Sequence, residues 1–450
     1  MQTRDVAWRW EVGALLACAL AVRLGLAWGV QQRVERTPGR LCLVAGDAEG
    51  YWELARNVVQ RGEFTLYTPP RRVLRMPGFP LWLAAGMRLF GERVLWHRLG
   101  LACVGTVACG LTCLLGWVLG GRSVGRCAGW LAALHPGLAG LSVLLLSETL
   151  FACCLTASLV CLALLLRSVR RHSRGANASA PLEPTGLAQT ANSRATGGET
   201  LFGPGWPWGG LCGVLCGLAT LVRPTWLPIA PLAALWLLLG RTPAVPRARL
   251  RGPALALIAG LVLTMTPWAW RNWRVVGHPV VTSLWAGASL YDGLHPGATG
   301  VSDMRFIEAD GLFDSLTEYE VDRHYRAAAQ QFAWTNPRRV FELGLVKLSR
   351  FWNPLLNAGE LDPGPIGWLL GAWELALWVA ALRGLWHWRR DCWAVCLTAG
   401  PVLFLSLVHC VFIGSVRYRL PAEYALLVAS AVGLLVTGTP GRSPPPRGVG

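Results

Sequence analysis

Apolar runs of bilayer-spanning length recur through this 450-residue chain, with arginines punctuating them. The first, residues 10–30, is long enough to cross a hydrocarbon core, which takes about 20 helical residues. Others lie at 95–119, 204–221, 226–239, 253–270, 368–385, 392–412 and 420–436. The run at 127–166 is longer. It is broken at His135-Pro136-Gly137 and Ser147-Glu148, so it reads as a helical hairpin folding back between those breaks. A mean hydropathy of +0.40, with only 15% charged residues, excludes a soluble globular chain. Many of the 24 tryptophans sit near run ends, as interfacial anchors do. The first run exceeds a signal-peptide core and lacks a small-x-small site, so we expect an uncleaved span with a cytoplasmic N-terminus. The runs flanking Arg223-Pro224-Thr225 are short for lipid, so one of them should be tilted, broken or shielded.

The net charge of +17 does not describe a nucleic-acid patch. Such a patch would sit in a polar region with interleaved aromatics, whereas these arginines close apolar runs and fit positive-inside topology. With ten spans, the links at Arg122, Arg170, Arg247 and Arg389 all fall on the cytoplasmic side. The expected layout is one transmembrane domain over 1–440 and a disordered tail at 441–450. Within the domain lie an outer loop at 31–94, a flexible cytoplasmic loop at 168–203 and an outer acidic region at 271–365. Eight acids cluster between Asp292 and Asp322 in that last region. The 340–351 stretch carries Glu342, Lys347 and Arg350 on one side, so we expect an interfacial helix there. The 14 cysteines form no CxxC and lie mostly in apolar runs, as small packing residues rather than a metal framework.

The polar segment 43–90 is the foremost candidate for chemistry. Asp47 and Glu49 precede a short amphipathic pattern, Tyr51-Trp52-Leu54-Ala55-Val58-Val59, which Arg61-Gly62 ends. Met76-Pro77-Gly78-Phe79-Pro80 then opens a second apolar helix. A carboxylate at such a mouth can take a proton from a hydroxyl or bind a divalent metal ion; it can also simply cap the helix, for which Glu49 is nearer. Glu148 is either a hairpin-tip residue at the headgroups or an intramembrane acid that needs a partner or a polar cavity. Arg223, Arg271, Arg417 and Arg419 fall on the outer face against the usual bias. They suit a membrane-borne phosphate, or pairing with the protein's own carboxylates. Tyr51, Arg75, Glu148, Tyr291 and Tyr418 are the further candidates for a substrate cavity. The tyrosines, like Trp52, could stack on a sugar or anchor at the interface. His135 reads as a hairpin residue, and no histidine pair has metal-ligand spacing.

These motifs, in their order, resemble the polyprenyl-phosphate-sugar-dependent membrane glycosyltransferases, the protein mannosyltransferase and aminoarabinose transferase superfamily (glycosyltransferase family 39-like). The resemblance rests on Asp47, Tyr51, Ala55, Gly62, Pro77-Gly78-Phe79-Pro80 and Phe90-Gly91 in the first loop. It continues through Ser147-Glu148-x-x-Phe151, Leu221-x-Arg223-Pro224-Thr225, Pro267-Trp268-x-x-Arg271-Asn272 and Arg417-Tyr418-Arg419-x-Pro421. It implies an all-α multispan fold of the GT-C-like glycosyltransferase type, with about 10 to 12 transmembrane helices and interfacial helices in the first outer loop. It also implies a multi-pass protein of the cell inner (plasma) membrane with an extracytoplasmic site. There a hexosyl or pentosyl group would pass from a polyprenyl-phosphate donor to a lipid, glycan or protein acceptor, by a single inverting displacement. Asp47 corresponds to the family's catalytic or metal-associated acid. Family members commonly carry a second acid beside it, whereas here Ala48 separates Asp47 from Glu49. No segment resembles the soluble C-terminal domain of many relatives, so acceptor binding by such a domain is not expected. The competing readings are a flippase or transporter for lipid-linked sugars and a noncatalytic scaffold. A transporter would more often show an inverted repeat, and none is visible.

Overall fold

In a bilayer every backbone polar group must be satisfied within its own segment, so long apolar runs become helices. The structure, a computed structural model, describes residues 2–37, 42–43, 46–178, 205–239, 247–355 and 364–436. The described residues form an all-α fold: α1 (Gln2–Glu35), α2 (Asp47–Arg61), α3 (Gly78–Phe90), α4 (Val94–Gly120), α5 (Arg122–Leu134), α6 (Pro136–Leu141), α7 (Glu148–Ala178), α8 (Trp206–Val222), α9 (Ile229–Leu239), α10 (Ala248–Val276), α11 (Ala286–Gly293), α12 (Phe306–Asp310), α13 (Leu312–Ser315), α14 (Glu318–Thr335), α15 (Pro337–Phe351), α16 (Gly364–His387), α17 (Cys392–Val411) and α18 (Val416–Leu435). Six helices, within α1, α4, α7, α10, α16 and α17, are long and apolar enough to cross a membrane; α8 and the segment ending in α9 are apolar but shorter. This is a multispan membrane fold, with at least six helices among the described residues that are apolar and long enough to cross.

The most enclosed helix is not among the six. Nearly every residue of α18 from Val416 to Gly433 is buried, and it packs against α4, α5, α7, α16 and α17. Its polar residues Arg417, Arg419 and Glu423 can be tolerated because they face protein rather than lipid. Further along, Gly433 lies so close to α16 that a Cβ would meet the Ala380 carbonyl at 1.9 Å, and one on Gly384 would meet Ala429 O at 2.0 Å. Lipid is as apolar as leucine, so close backbone approach through small residues is what holds such helix pairs.

Several expectations need correction. The 127–166 hairpin is asymmetric: α5 begins at Arg122 and has 13 residues, α6 has 6, and the return starts at Glu148. That helix runs on to Ala178, so the start of the supposed flexible loop is helical; its remainder, 179–203, lies outside the described residues, as does the 441–450 tail. In α15, Lys347 does not share an outer charged side. It is fully buried, and its Nζ donates to Gly293 O at 2.8 Å and Val411 O at 2.6 Å, while Phe341 and Leu345 are exposed. Burial brings the Lys347 ammonium down to about 8.

Candidate active site

Three helix N-termini and one C-terminal end meet at one side of the bundle. Asp47 is the first residue of α2 rather than lying well ahead of it, Glu148 opens α7, and Arg417 lies in the first turn of α18. Arg223 follows the last residue of α8. Pro224 disfavours helical geometry in the residue before it, and Arg223 is accordingly extended, with φ −141° and ψ 119°.

Local packing fixes these ends. Ser415 caps α18 by accepting the Arg417 amide, and a Cβ on Gly414 would meet Lys347 O at 2.0 Å, so the turn before α18 sits against α15. A Cβ on Gly78 would lie 2.8 Å from Leu221 O, which explains the glycine in Met76-Pro77-Gly78: α3 starts directly on the end of α8. The strap before it is clamped at several points. Leu66 and Arg71 exchange backbone bonds of 3.0 and 2.8 Å, and the Glu318 carboxylate accepts the amides of Arg72 and Val73 at 2.9 and 2.8 Å. Arg271 donates to Arg72 O at 2.6 Å and Phe64 O at 3.4 Å. The strap therefore delivers Arg75 to the site, with its guanidinium 5.3 Å from the Tyr51 ring and 5.0 Å from Trp285.

The side chains form one connected cluster. Arg75 pairs with Asp47 Oδ1 at 3.1 Å, and Arg417 pairs with Asp47 Oδ2 at 2.9 Å. The same Arg417 binds Glu148 through Nε. Arg223 reaches Glu148 Oε1 at 2.8 Å and Ser147 Oγ at 3.1 Å. Tyr418 lies beneath both Arg223 and Arg417, at 4.9 and 5.4 Å, and is stacked in turn on His409 at 4.5 Å. Burial alone would raise the Asp47 carboxyl, but Arg75 and Arg417 outweigh it and bring it to about 2. Glu148 is fully buried, whereas Asp47 keeps 30% of its side chain exposed. Three guanidiniums thus face two carboxylates, and helix N-termini add further positive potential. The arrangement favours one more anion.

Of the expected site residues, Asp47, Arg75, Glu148, Arg223, Arg417, Tyr51 and Tyr418 are brought together. The others are not. Glu49 is exposed and reaches back to the Gly46 amide at 3.4 Å, a cap at the start of α2. Arg271 is a strap anchor. Tyr291 packs with His295, Phe306 and Tyr325 in the outer region. Arg419, two residues from Arg417 and so on the opposite side of α18, lies in a closed network: it donates to Phe351 O and Asn353 O at 2.7 and 3.0 Å, pairs with Glu374 at 2.9 Å, and binds Glu423 through Nε. His135 Nε2 joins that network 2.9 Å from Glu374. His135, Glu374 and Glu423 bring ligand-type atoms within 4.8 Å of one another and could coordinate a divalent metal. As they stand, these groups are bonded to each other and to Arg419. Glu374 and Glu423 escaped sequence reading although each lies inside an apolar run, the signal that marks an intramembrane acid. His409 carried no such signal.

With the geometry in hand, the fold can be placed. No family model and no curated protein sequence matches this chain. Solved structures do. The archaeal oligosaccharyltransferase AglB from Archaeoglobus fulgidus, in complex with an inhibitory peptide and a dolichol-phosphate, aligns over 94% of this chain at 16% identity and a TM-score of 0.55. The Archaeoglobus fulgidus enzyme in complex with Zn and sulfate aligns over 93% at 15% identity and a TM-score of 0.54. ArnT from Cupriavidus metallidurans, bound to undecaprenyl phosphate, covers 94% of this chain and 78% of its own at 16% identity, with a TM-score of 0.39. The chain spans about half the length of the archaeal chains it matches, 50% and 48%. The likeness to the archaeal structures shows that this chain shares their multispan all-α membrane fold.

Proposed function

We propose that this protein transfers a sugar from a polyprenyl-phosphate-linked donor to an acceptor, at the extracytoplasmic face of the plasma membrane. The observation that carries the reading is the cluster itself: one partly exposed carboxylate, held between guanidiniums that exceed the acids by one charge, at the end of a membrane bundle. Support for a lipid-phosphate ligand comes from the fold, since the archaeal enzyme of the same fold was solved with dolichol-phosphate. A polyprenyl tail is too apolar for water, which gives a reason to build the site in a bilayer.

In this mechanism the donor phosphate enters beside Arg223 and Arg417 and draws guanidinium contacts away from Asp47. Released from its partners, the carboxylate becomes a better proton acceptor and orients or deprotonates the acceptor hydroxyl. That oxygen attacks the anomeric carbon opposite the phosphate, the carbon–oxygen bond to phosphate breaks, and the arginines take up the charge of the leaving group. Preorganised cations aimed at developing charge are the largest contribution expected here. Glu148 and Ser147 are positioning residues that hold Arg223 and Arg417, and Tyr418 supports both. Arg271 and Arg419 act through the strap and the α18 network. The sugar is a hexose or pentose, and the acceptor a lipid, glycan or protein.

The test is transfer from a panel of polyprenyl-phosphate sugars by purified protein and by Asp47→Asn. We expect transfer to fall by about 10²–10⁴-fold in the variant, at unchanged expression and with the protein still folded at neutral pH. Retained transfer would remove Asp47 from the mechanism.

A further inference from the structure

The Asp47 and Glu148 carboxylates both lie within reach of one point, the Arg417 guanidinium, where a divalent ion could be imagined. Oxygen donors from two chain segments, one of them fully buried, are what Mg²⁺ or Mn²⁺ recruits beside a phosphate. A structure of the same fold holds zinc and sulfate, so whether these residues suit a metal bears directly on the reaction. They do not suit one. Both Asp47 oxygens are engaged, Oδ1 by Arg75 and Oδ2 by Arg417. Glu148 Oε1 is shared by Arg417 and Arg223, and its Oε2, although without a partner, is sealed from solvent. The bridge between the two acids is already made by a single guanidinium, Arg417, whose Nη2 and Nε reach one carboxylate each. A divalent ion at that point would have to displace Arg417 and would then stand between the guanidiniums of Arg75 and Arg223.

We propose that Arg417 takes the place of the bridging divalent cation, so that the cluster works on built-in charge and Asp47 holds no metal. The inference rests on the reading of this cluster as the transfer site, but it makes a separate claim, about what neutralises its two acids. The local design agrees with it. A guanidinium is a planar, permanently charged group whose several N–H donors can bind two carboxylates at once, which makes it a directional substitute for an ion. Its position is set by the polypeptide rather than by ion concentration: Ser415 caps the first turn of α18, and Gly414 seats the preceding turn on the α15 backbone. Tyr418 packs against the same guanidinium. The +2 spacing on α18 repeats the device on the other side of the helix, where Arg419 joins Glu374 to Glu423.

The probe is Mn²⁺ alone, followed by electron paramagnetic resonance on the full-length protein in detergent, with no sugar donor present. The readout is the component of Mn²⁺ binding that disappears on Asp47→Asn; ions held by the His135, Glu374 and Glu423 group do not contribute to it. In the natural protein that component should be absent. In Arg417→Met, which vacates the bridge, an Asp47-dependent site should appear, at least about tenfold tighter than any in the natural protein. Asp47-dependent Mn²⁺ binding by the natural protein would overturn the proposal, and so would a folded Arg417→Met protein that gains no site. If Arg417→Met does not fold, the comparison of the natural protein with Asp47→Asn still decides. Because Mn²⁺ binding is read without sugar transfer, this test can fail while the transferase reading stands, and the reverse.

Discussion

Asp47 and Glu148 are neutralised by the same arginine yet differ in what they can do. Asp47 keeps contact with solvent and is free to exchange partners, while Glu148 is enclosed and can only hold what it holds. Breaking a buried pair by removing one charge costs about 3–5 kcal/mol, because the partner is left uncompensated. Glu148→Gln should therefore lower the thermal midpoint of the detergent-solubilised protein strongly as well as transfer, whereas Asp47→Asn should lower the midpoint less and act chiefly on transfer near neutral pH. The acid branch offers an independent check on Asp47. Its folded value of about 2 lies below the ordinary aspartate value, so its ion pairs add stability above about pH 4, and that gain is lost as pH falls through the folded value. The contribution is of order 2 kcal/mol. A plot of unfolding midpoint between pH 2 and 6 should fall less steeply in Asp47→Asn than in the natural protein; parallel curves would mean that Asp47 is not ion-paired at rest.

At the scale of elements, α18 organises the bundle, and its two ends do different jobs. The first turns carry the charges, and the last turns carry the close packing on α16. Replacing Gly433 by leucine would force side-chain atoms onto the Ala380 carbonyl, where even a Cβ would approach to 1.9 Å. We expect loss of most folded protein by size-exclusion chromatography, and milder loss from the same change at Gly140, where a Cβ would meet nothing within 4 Å. The elements themselves were readable where the physics is local. The 51–59 body of α2 was visible from its apolar spacing and its glycine stop, though not its start at Asp47, and the start of α3 was visible from the Pro77-Gly78 step. What could not be read was pairing. Arg417 meets Asp47 across 370 positions of sequence, and nothing local to either residue says which carboxylate an outer arginine will find. The same limit made Arg271 and Arg419 look like donor ligands when their partners are backbone carbonyls and intramembrane acids. Arg23, inside the first apolar run, carried the same intramembrane-charge signal as Glu374 and Glu423 and also went unread; it is fully buried and donates to Ala132 O and Ala133 O at 3.2 and 3.1 Å.

Over the whole molecule, arginine placement and helix ends agree. Arg122, Arg170 and Arg389 lie at ends of crossing helices or the turns beside them, whereas Asp47, Glu148, Arg223 and Arg417 gather where α2, α7 and α18 begin and α8 ends. Overall architecture was therefore legible from hydropathy and charge, while the span count was not, because short helices such as α9 and a charged one such as α18 escape any rule based on length and apolarity. The central claim is that this gathered end binds a lipid-linked phosphate. The most direct measurement is the affinity of a sugar-free, short-chain polyprenyl monophosphate for the purified protein, for Arg223→Ala and for a control, Arg338→Ala, on the exposed start of α15. The account predicts that binding weakens about 10–100-fold in Arg223→Ala and is unchanged in the control. Equal affinity in all three proteins would contradict it.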